Sequence, residues 1–520
     1  MVMSPMTMLF RPLFPLLALV SIAATGACAA SAESADPTAA EGALTDQSVP
    51  AEWDRTVTRP ANEGAASQLR STCAFKRGAM PAETLGSEIP VDRAIPIETV
   101  VVVMQENRSF DSYFGHLNKY AHRTDIESAP DDASNPEQVN VPGSPRHPYQ
   151  HAKMLCISDT NHEWDGSHLE YNGGKMDGFF QANHGFAESG QPYVSDAAKN
   201  GERALWWYDE RDIPFYYDLA ATFGIGDHYH SSLLGPTYPN RDFLYGATSR
   251  GVTTGHSVDL KGLGPDKNIL LFDELSRRGI TWTIYIDGFP HIPRVGAFVG
   301  AGFGTRWGTG DEYNTHFAPM YRFNSDAKNG TLPQVVFVDG NISEDARGED
   351  EHPPSDIQTG QKFVSETINT LFASPQWKSL AIFFTYDEHG GIYDHVAPPK
   401  ACAPDDIAPV LESDEDRAYP GGFDRLGVRV PFVVVSPFAK RSFVSHKTYD
   451  HTSITRFIET KFKIPALSNR DANADPLFDF FDFDHPPFMT PPHLAEATVD
   501  AARYRDCVDL FDPPPPDNNR

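Results

Sequence analysis

The stretch that decides the fold is Ile97–Asp111, which reads IETVVVVMQENRSFD. Its first part, Ile97–Met104, is dominated by β-branched and apolar residues, a pattern typical of a strand covered on both faces of a sheet. The run ends in a carboxylate, Glu106, and a carboxamide, Asn107. Two hard oxygen donors at the end of a buried strand indicate a cation site, and the alternative is a helix cap formed by Asn107.

Three further stretches have the character of buried strands, and amphipathic helical patterns follow two of them. The strand-like stretches are Gln334–Asp339, Leu380–Glu388 and Val430–Phe438, and the helical patterns are Ser355–Trp377 and Thr452–Phe462. A strand that is followed by a helix and another strand requires a crossover connection, which joins parallel strands. The sequence therefore predicts an α/β fold with a mostly parallel central sheet and helices on both faces.

The acidic ends of two predicted strands are expected to meet at one edge of this sheet. Ligands of open parallel sheets bind outside the carboxyl ends of the strands, where Glu106–Asn107 and Asp387–Glu388 both lie. Two adjacent buried acids cost free energy unless a cation compensates them. The loop that follows, which includes His395, is rich in charged residues, and Gly390–Gly391 allows sharp turns in it. The alternative interpretation is a polar surface loop.

A threonine in the stretch Leu233–Ser249, LLGPTYPNRDFLYGATS, is the candidate nucleophile. Pro239 suits the first turn of a helix, so Thr237 is predicted to lie at the positive end of that helix, where backbone N–H groups face anions. This position suits a hydroxyl that attacks a phosphoryl group. The alternative is that Thr237 only caps the helix.

Histidines in polar surroundings are candidates for proton transfer. His162 and His168 lie in DTNHEWDGSH, and His352 lies in EDEHPPSD. Beside a phosphate, a histidine stabilises negative charge or protonates a leaving oxygen, although a lone histidine is usually structural. The first stretch lacks the spacing of H-E-x-x-H, which excludes a zinc-protease interpretation.

The charge balance limits the classes of partner. The 520 residues include 43 Lys and Arg against 71 Asp and Glu, a net charge of −28. Such a chain does not bind nucleic acid or anionic membranes by broad electrostatic attraction, but an acidic site attracts a polyvalent cation. We therefore predict no nucleic-acid partner.

The N-terminus has the pattern of an export signal. Arg11 precedes an apolar run, Leu13–Ala24, which is too short for a membrane span, and small residues end it. Residues 1–29 are predicted to be a signal peptide and the protein to be secreted or periplasmic. Cleavage is favoured over lipoprotein anchoring at Cys28, because Thr25 stands where a lipoprotein signal usually has leucine. Residues 30–90 are predicted to be a disordered linker and an N-terminal extension.

Four cysteines outside the signal peptide predict up to two disulfides, with three possible pairings: Cys73, Cys156, Cys402 and Cys507. The alternative is that some are buried free thiols. The absence of C-x-x-C and of Cys/His zinc spacings argues against a structural zinc site. We expect a catalytic domain at 91–470, with insertions at about 125–330 that form a cap or active-site wall. A C-terminal extension at 471–520, with a disordered proline-rich end, is expected to follow.

The motifs occur together in one known family. The chain resembles the bacterial phosphoesterase family of non-specific phospholipases C and related acid phosphatases over about Ile97–Phe462, through the stretches ENRSFD, GPTYPNR, EHPPSDIQTGQKFV, TYDEHGGIYDHV, GVRVPFVVVSPF and YDHTSI. This resemblance implies an alkaline-phosphatase-like core and a metal-dependent phosphoester hydrolase. It also implies the roles of individual residues: metal ligation by Glu106, Asn107, Asp387 and Glu388, nucleophilic attack by Thr237, and a place near the phosphate for His162 and His352. His395 lies in a shared motif and is a further candidate catalytic residue.

The resemblance favours a secreted phospholipase C that cleaves glycerophospholipids to diacylglycerol and a phospho-headgroup through a phosphothreonine. Thr237 matches the phospholipase C branch, whereas the acid phosphatase branch has serine at this position. An acid phosphatase acting on soluble phosphomonoesters is the close alternative, and a non-catalytic surface-binding protein on the same fold is the alternative from another class. A sulfatase is disfavoured because threonine does not give formylglycine. Oxygen ligands favour calcium, magnesium or manganese, while the resemblance keeps zinc possible. Transient contact with a membrane surface is expected.

Overall fold

A computed structural model describes Arg55 and residues 57–186, 201–255, 269–287, 316–342 and 345–512. The predicted signal peptide, the linker up to residue 54 and the tail at 513–520 lie outside the described residues. So do parts of the predicted insertions. Within the described ranges, no helix has the length and apolar character needed to cross a lipid bilayer.

The strands, in chain order, are β1 Thr99–Gln105, β2 Ser134–Pro136, β3 Arg146–Pro148, β4 Gln150–His151, β5 Trp206–Trp207, β6 Gly224–Gly226, β7 Trp282–Ile286, β8 Phe317–Pro319, β9 Val335–Asp339, β10 Leu380–Tyr386, β11 Phe432–Val435 and β12 Phe443–Ser445. The α-helices are α1 Glu63–Ser71, α2 Pro81–Thr84, α3 Phe110–Phe114, α4 Leu117–Ala121, α5 Trp164–Tyr171, α6 Phe179–Asn183, α7 Pro214–Thr222, α8 Thr237–Gly246, α9 Leu271–Arg277, α10 Met320–Asn329, α11 Ile357–Phe372, α12 Asp414–Arg417, α13 His451–Phe462, α14 Asn469–Ala472 and α15 Ala501–Phe511.

Eight strands form the central sheet in the order β12-β6-β11-β10-β1-β9-β7-β8. β1 lies between β10 and β9 and is parallel to both, and β7 continues the parallel arrangement beyond β9. Every residue of β1 is buried, because both faces of the sheet are covered. The predicted α/β fold with a mostly parallel sheet is therefore confirmed.

The strand predicted at Val430–Phe438 forms as β11 but runs antiparallel to β10 and β6. Thr385 near the end of β10 pairs with Phe432 at the start of β11. Between the two strands the chain forms only the short helix α12, so no long crossover helix carries it to the opposite edge of the sheet. The loop between β10 and β11 therefore starts and ends at the carboxyl edge of β1 and β10.

The range 125–330, which we predicted to consist of insertions, supplies part of the core. It contains β6, β7 and β8 of the central sheet and the helix α8. These strands are only 3 to 5 residues long, and β6 has the sequence Gly-Ile-Gly, so no long apolar run marks them. The same range also forms part of the wall of the candidate site, through α5 and α6.

The N-terminal extension is folded in its described part. Arg70 of α1 donates to the carbonyl of Thr84 at 2.8 Å, and Arg456 of α13 donates to the Thr84 hydroxyl at 2.6 Å. The backbone N–H of Gly78 donates to Ala466 O at 2.7 Å. The described part of the N-terminal extension therefore packs against the catalytic domain.

The cysteines form two disulfides, Cys73–Cys402 and Cys156–Cys507. The first joins the N-terminal extension to the loop between β10 and β11. The second joins α15 to the segment before α5, and Cys507 is the one residue of α15 that is fully buried. Asp509–Phe511, predicted as part of a disordered tail, therefore belong to an anchored helix.

The disulfide of α15 leads to a prediction about local stability. We expect Cys507→Ser to weaken the docking of α15 by about 2–4 kcal/mol, because the disulfide is its main buried attachment. Trypsin should then cleave after Arg503 or Arg505 faster than in the wild-type protein, as measured by mass spectrometry. Cys73→Ser is the matched control and should leave both sites protected. Equal cleavage rates in Cys507→Ser and wild type would contradict this account.

Candidate active site

The two predicted acidic pairs meet at the carboxyl ends of β1 and β10. Gln105 and Tyr386 are register partners, so the next residues of both strands emerge side by side. The backbone N–H of Asn107 donates to Asp387 Oδ1 at 3.3 Å, and that oxygen also accepts the N–H of Glu388 at 2.7 Å. Glu106, Asn107, Asp387 and Glu388 are all buried. The structure thus brings together two pairs of residues, and the two pairs lie about 280 positions apart in the sequence.

Two glycines allow the loop after β10 to pack against its neighbours. Gly390 and Gly391 have φ values of +65° and +67°. A Cβ atom on Gly390 would lie 2.5 Å from Asn107 O, and one on Gly391 would lie 2.6 Å from Asn161 O. Only glycine fits such close backbone approaches. The loop is therefore held between the end of β1 and the segment that carries His162.

Thr237 is the first residue of α8, as predicted, and Pro236 precedes it as the N-cap. Its hydroxyl Oγ1 donates to Asn107 Oδ1 at 3.5 Å, and its side chain is buried with 7% of its surface exposed. This end of α8 is the positive end of the helix dipole. The hydroxyl thus stands between a helix N-terminus and the ends of the acidic strands.

Sequence reasoning missed Arg241, which lies one turn after Thr237 on α8. Its guanidinium donates to Asp339 Oδ1 at 2.7 Å, to Glu106 Oε1 at 2.9 Å and to Asp387 Oδ2 at 3.4 Å. Burial lowers the pKa of Arg241, but these carboxylates outweigh burial and raise it. Asp339 ends β9 in the same way that Glu106 follows β1. Parallel strands have their carboxyl ends at the same edge of a sheet. By this rule, Asp339 could have been included among the candidate site residues.

His162 and His352 lie beside the acidic cluster with their rings 5.6 Å apart, centre to centre. His162 Nδ1 is 2.7 Å from Thr160 O, and His352 Nδ1 is 2.7 Å from Pro353 O. A carbonyl only accepts, so Nδ1 carries the proton in both rings and Nε2 is left for other partners. His162 Nε2 is 3.4 Å from Asn107 Nδ2 and 4.0 Å from Glu388 Oε1.

The surroundings of His162 favour its charged form. Burial lowers the pKa of His162, but the carboxylates of Glu388 and Asp159 outweigh burial and raise it above its ordinary value. Ligand atoms of Asp159, His162 and His352 lie within 4.8 Å of one another. The histidine side of the site therefore offers proton donors next to the oxygen donors of the strand ends.

His395 belongs to a different cluster. Its Nδ1 atom is 2.7 Å from Asp111 Oδ2, and its Nε2 atom is 3.1 Å from Glu127 Oε1. The buried Arg429 donates to Asp111 at 2.8 Å and to Asp394 at 2.9 Å. These contacts tie the loop after β10 to helix α3. The observed contacts of His395 are thus with this cluster and not with Thr237 or the acidic pairs.

The donor set fits a divalent cation. Glu388 Oε1 is buried and has no hydrogen-bond partner among the described residues. Burial raises the pKa of Glu106 well above its ordinary value, and the charge of Asp387 adds to this rise although Arg241 opposes it. A cation would supply the missing positive charge, and carboxylate and amide oxygens suit a hard ion. The residues that would hold it are Glu106, Asn107, Asp387 and Glu388.

Sequence comparison identifies known proteins that are similar to this chain. Residues 97–465 match the Phosphoesterase family. The chain is 32% identical over 423 residues to non-specific phospholipase C1 of Arabidopsis thaliana, covering 78% of this chain and 74% of that protein. It is 31% identical over 445 residues to phospholipase C A of Mycobacterium tuberculosis, covering 78% of this chain and 81% of that protein.

A solved structure of a protein in the alkaline phosphatase superfamily from Vibrio parahaemolyticus is similar at a TM-score of 0.29, with 9% identity over 51% of this chain and 63% of that chain. This distant likeness adds nothing to the family assignment, which depends on the sequence matches. The predicted enzyme class, a phosphoester hydrolase, is confirmed by those matches. Because the match extends from β1 through α13 and includes every strand end of the site, the chain belongs to the phosphoesterase family.

Proposed function

We propose that this protein is an exported, cation-dependent phospholipase C that cleaves glycerophospholipids to diacylglycerol and a phospho-headgroup. The observation that carries the proposal is the position of Thr237. Its hydroxyl lies at the N-terminus of α8 and contacts Asn107, next to Glu106 and the Asp387–Glu388 pair. A hydroxyl beside helix-terminal N–H groups and a cation site suits attack on a phosphoryl group.

Thr237 Oγ1, ionised after its proton is released to solvent, is proposed to form a bond to phosphorus while the bond from phosphorus to the diacylglycerol oxygen breaks. The positive N-terminal end of α8 would stabilise the negative charge that develops on the phosphoryl oxygens. The departing alkoxide needs a proton, and Nε2 of His162 or His352 would donate it. The same histidine would then accept a proton from the water that hydrolyses the phosphothreonine.

A bound divalent cation would neutralise the phosphate and lower the pKa of the attacking hydroxyl. Glu106, Asn107, Asp387 and Glu388 would hold it. Arg241 has a separate role. Its guanidinium bonds to carboxylates at the ends of three strands, which fixes the helix of Thr237 against the sheet and offsets part of the negative charge. The nucleophile and the metal ligands therefore share one rigid frame, which favours a fixed attack geometry.

The substrate proposal is supported by the two relatives, which are named phospholipases C, and by threonine at position 237. The export proposal is supported by the N-terminal pattern and by the two disulfides, since such bonds persist in oxidising compartments. An anionic protein surface suits zwitterionic lipids better than anionic ones.

The nucleophile is tested by Thr237→Ala. Removing the hydroxyl should lower kcat for phosphodiesters by about three powers of ten or more, the scale found for lost nucleophiles. Fold and cation content should persist, because the cation ligands are unchanged. Thr237→Ser keeps a hydroxyl and should retain partial activity. Acid quench during turnover should leave phosphate on the peptide that contains Thr237. Near wild-type turnover by Thr237→Ala would disprove this mechanism and favour direct attack by water.

Cation dependence is tested by chelation. Stripping the protein with EDTA, with the loss checked by elemental analysis, should abolish activity, because the acidic strand ends then lack compensating charge. Asp387→Asn should weaken cation binding for the same reason. Asp326→Asn is a matched control, since Asp326 bonds Tyr285 and Thr331 and none of the acidic pairs. Full activity in the stripped protein would exclude the proposed cation.

The substrate class is tested by comparing p-nitrophenyl phosphorylcholine with p-nitrophenyl phosphate. A phospholipase C should hydrolyse the phosphodiester with the higher kcat/KM and should release diacylglycerol from phosphatidylcholine vesicles. Preference for the monoester, without release of diacylglycerol, would identify an acid phosphatase. Hydrolysis of neither compound by the cation-loaded protein would favour a non-catalytic binding role.

A further inference from the structure

A buried chain of three side chains lies behind one of the proposed cation ligands. Glu388 Oε2 accepts the N–H of Gly390 at 2.6 Å and lies 3.2 Å from His389 Nδ1. His389 Nε2 is 2.7 Å from Glu170 Oε2 on α5. Glu170, His389 and Glu388 are each no more than 1% exposed. None of these three side chains is exposed to solvent, so the packing around them sets their geometry.

Asn183 at the end of α6 fixes the far end of this chain. Its side-chain N–H₂ group donates to Glu170 Oε1 at 3.1 Å and to Gly391 O at 3.1 Å. Its side-chain oxygen accepts the N–H of Asn161, the residue before His162, at 2.7 Å. Both oxygens of Glu170 are therefore engaged, one by Asn183 and one by His389.

We propose that Glu170, acting through His389, is a positioning residue that orients the Glu388 carboxylate toward the bound cation. The proposal rests on the function proposed above. Gly390 and His389 occupy Oε2, so Oε1 is the oxygen left facing His162 and without a hydrogen-bond partner among the described residues. A carboxylate that is free to rotate would present either oxygen. The Glu170–His389 pair removes that freedom before the cation arrives.

The same hydrogen bonds also connect the wall of the site to the residues that it surrounds. Glu170 and Asn183 belong to α5 and α6, which lie outside the central sheet. Through Asn183 the wall contacts both the segment of His162 and the loop of Glu388. The wall therefore sets the distance between the proton donor and the cation ligand, and is more than a cover over the site.

The test is binding of Mn²⁺ to the chelator-treated full-length protein, followed by the EPR signal of free Mn²⁺. Groups that orient metal ligands typically change metal affinity by about 10- to 100-fold when they are replaced. We expect Glu170→Gln to raise the Kd for Mn²⁺ by about 10-fold or more. At saturating Mn²⁺, kcat for p-nitrophenyl phosphorylcholine should return close to the wild-type value, because the nucleophile and cation ligands are intact. A loss caused only by misfolding would not be rescued by excess Mn²⁺.

Asp177→Asn is the matched control. It also changes a carboxylate to an amide, at a position in the connection between α5 and α6. The side chain of Asp177 accepts a hydrogen bond from Asn172, which is not a residue of the site. It should bind Mn²⁺ like the wild type. If Glu170→Gln does not fold, His389→Gln replaces it, because the glutamine can still bond Glu170 but lacks the ring nitrogen beside Glu388. Wild-type affinity in whichever variant folds would overturn the positioning role alone. Absence of Mn²⁺ binding by the wild-type protein would overturn both this role and the proposed cation site.

Discussion

The guanidinium of Arg241 is the interaction on which the rest of the site depends. It contacts acids at the ends of β1, β9 and β10, and it is carried by the helix that begins with Thr237. Three buried carboxylates at one sheet edge would repel one another without it. The same contacts fix the helix against the sheet. One side chain thus offsets part of this charge and places the proposed nucleophile, and the remaining negative charge, which includes that of Glu388, is left for the proposed divalent cation.

The central strands and the convergence of their acidic ends could be predicted because each leaves a local signal. β1 and β10 are long apolar runs that end in acids, and the parallel-sheet rule then brings Glu106 and Asp387 together. Thr237 is marked by the helix start around it. Asp339 ends β9, so the same rule could have included it, whereas Arg241 lies within a helix and its contacts with the strand ends exist only after folding. The strands β6 to β8 escaped prediction because runs of only 3 to 5 residues are too short to show a periodic pattern, and two of the three residues of β6 are glycine.

Two other features show where local patterns fail. β11 has the same apolar run as its neighbours, and direction in the sheet is decided by the connection and not by the run itself. His395 lies in a motif that resembles the family, yet its charge partners are Asp111 and Glu127, which lie 284 and 268 positions earlier in the chain. The walls of the site, in α5 and α6, are likewise defined by buried hydrogen bonds between segments that have no common sequence pattern.

The two disulfides interleave, since Cys156 lies between Cys73 and Cys402, and Cys402 lies between Cys156 and Cys507. The paired cysteines are separated by 329 and 351 positions, so neither bond can close until most of the chain has left the ribosome. Among these four cysteines, oxidation in order of emergence would first join Cys73 to Cys156, which is the wrong pair. Correct maturation therefore requires that the chain stay reduced until its C-terminal half is available, or that an isomerase exchange the early bond. The yield of native enzyme should depend on the oxidant supply and isomerase of its host.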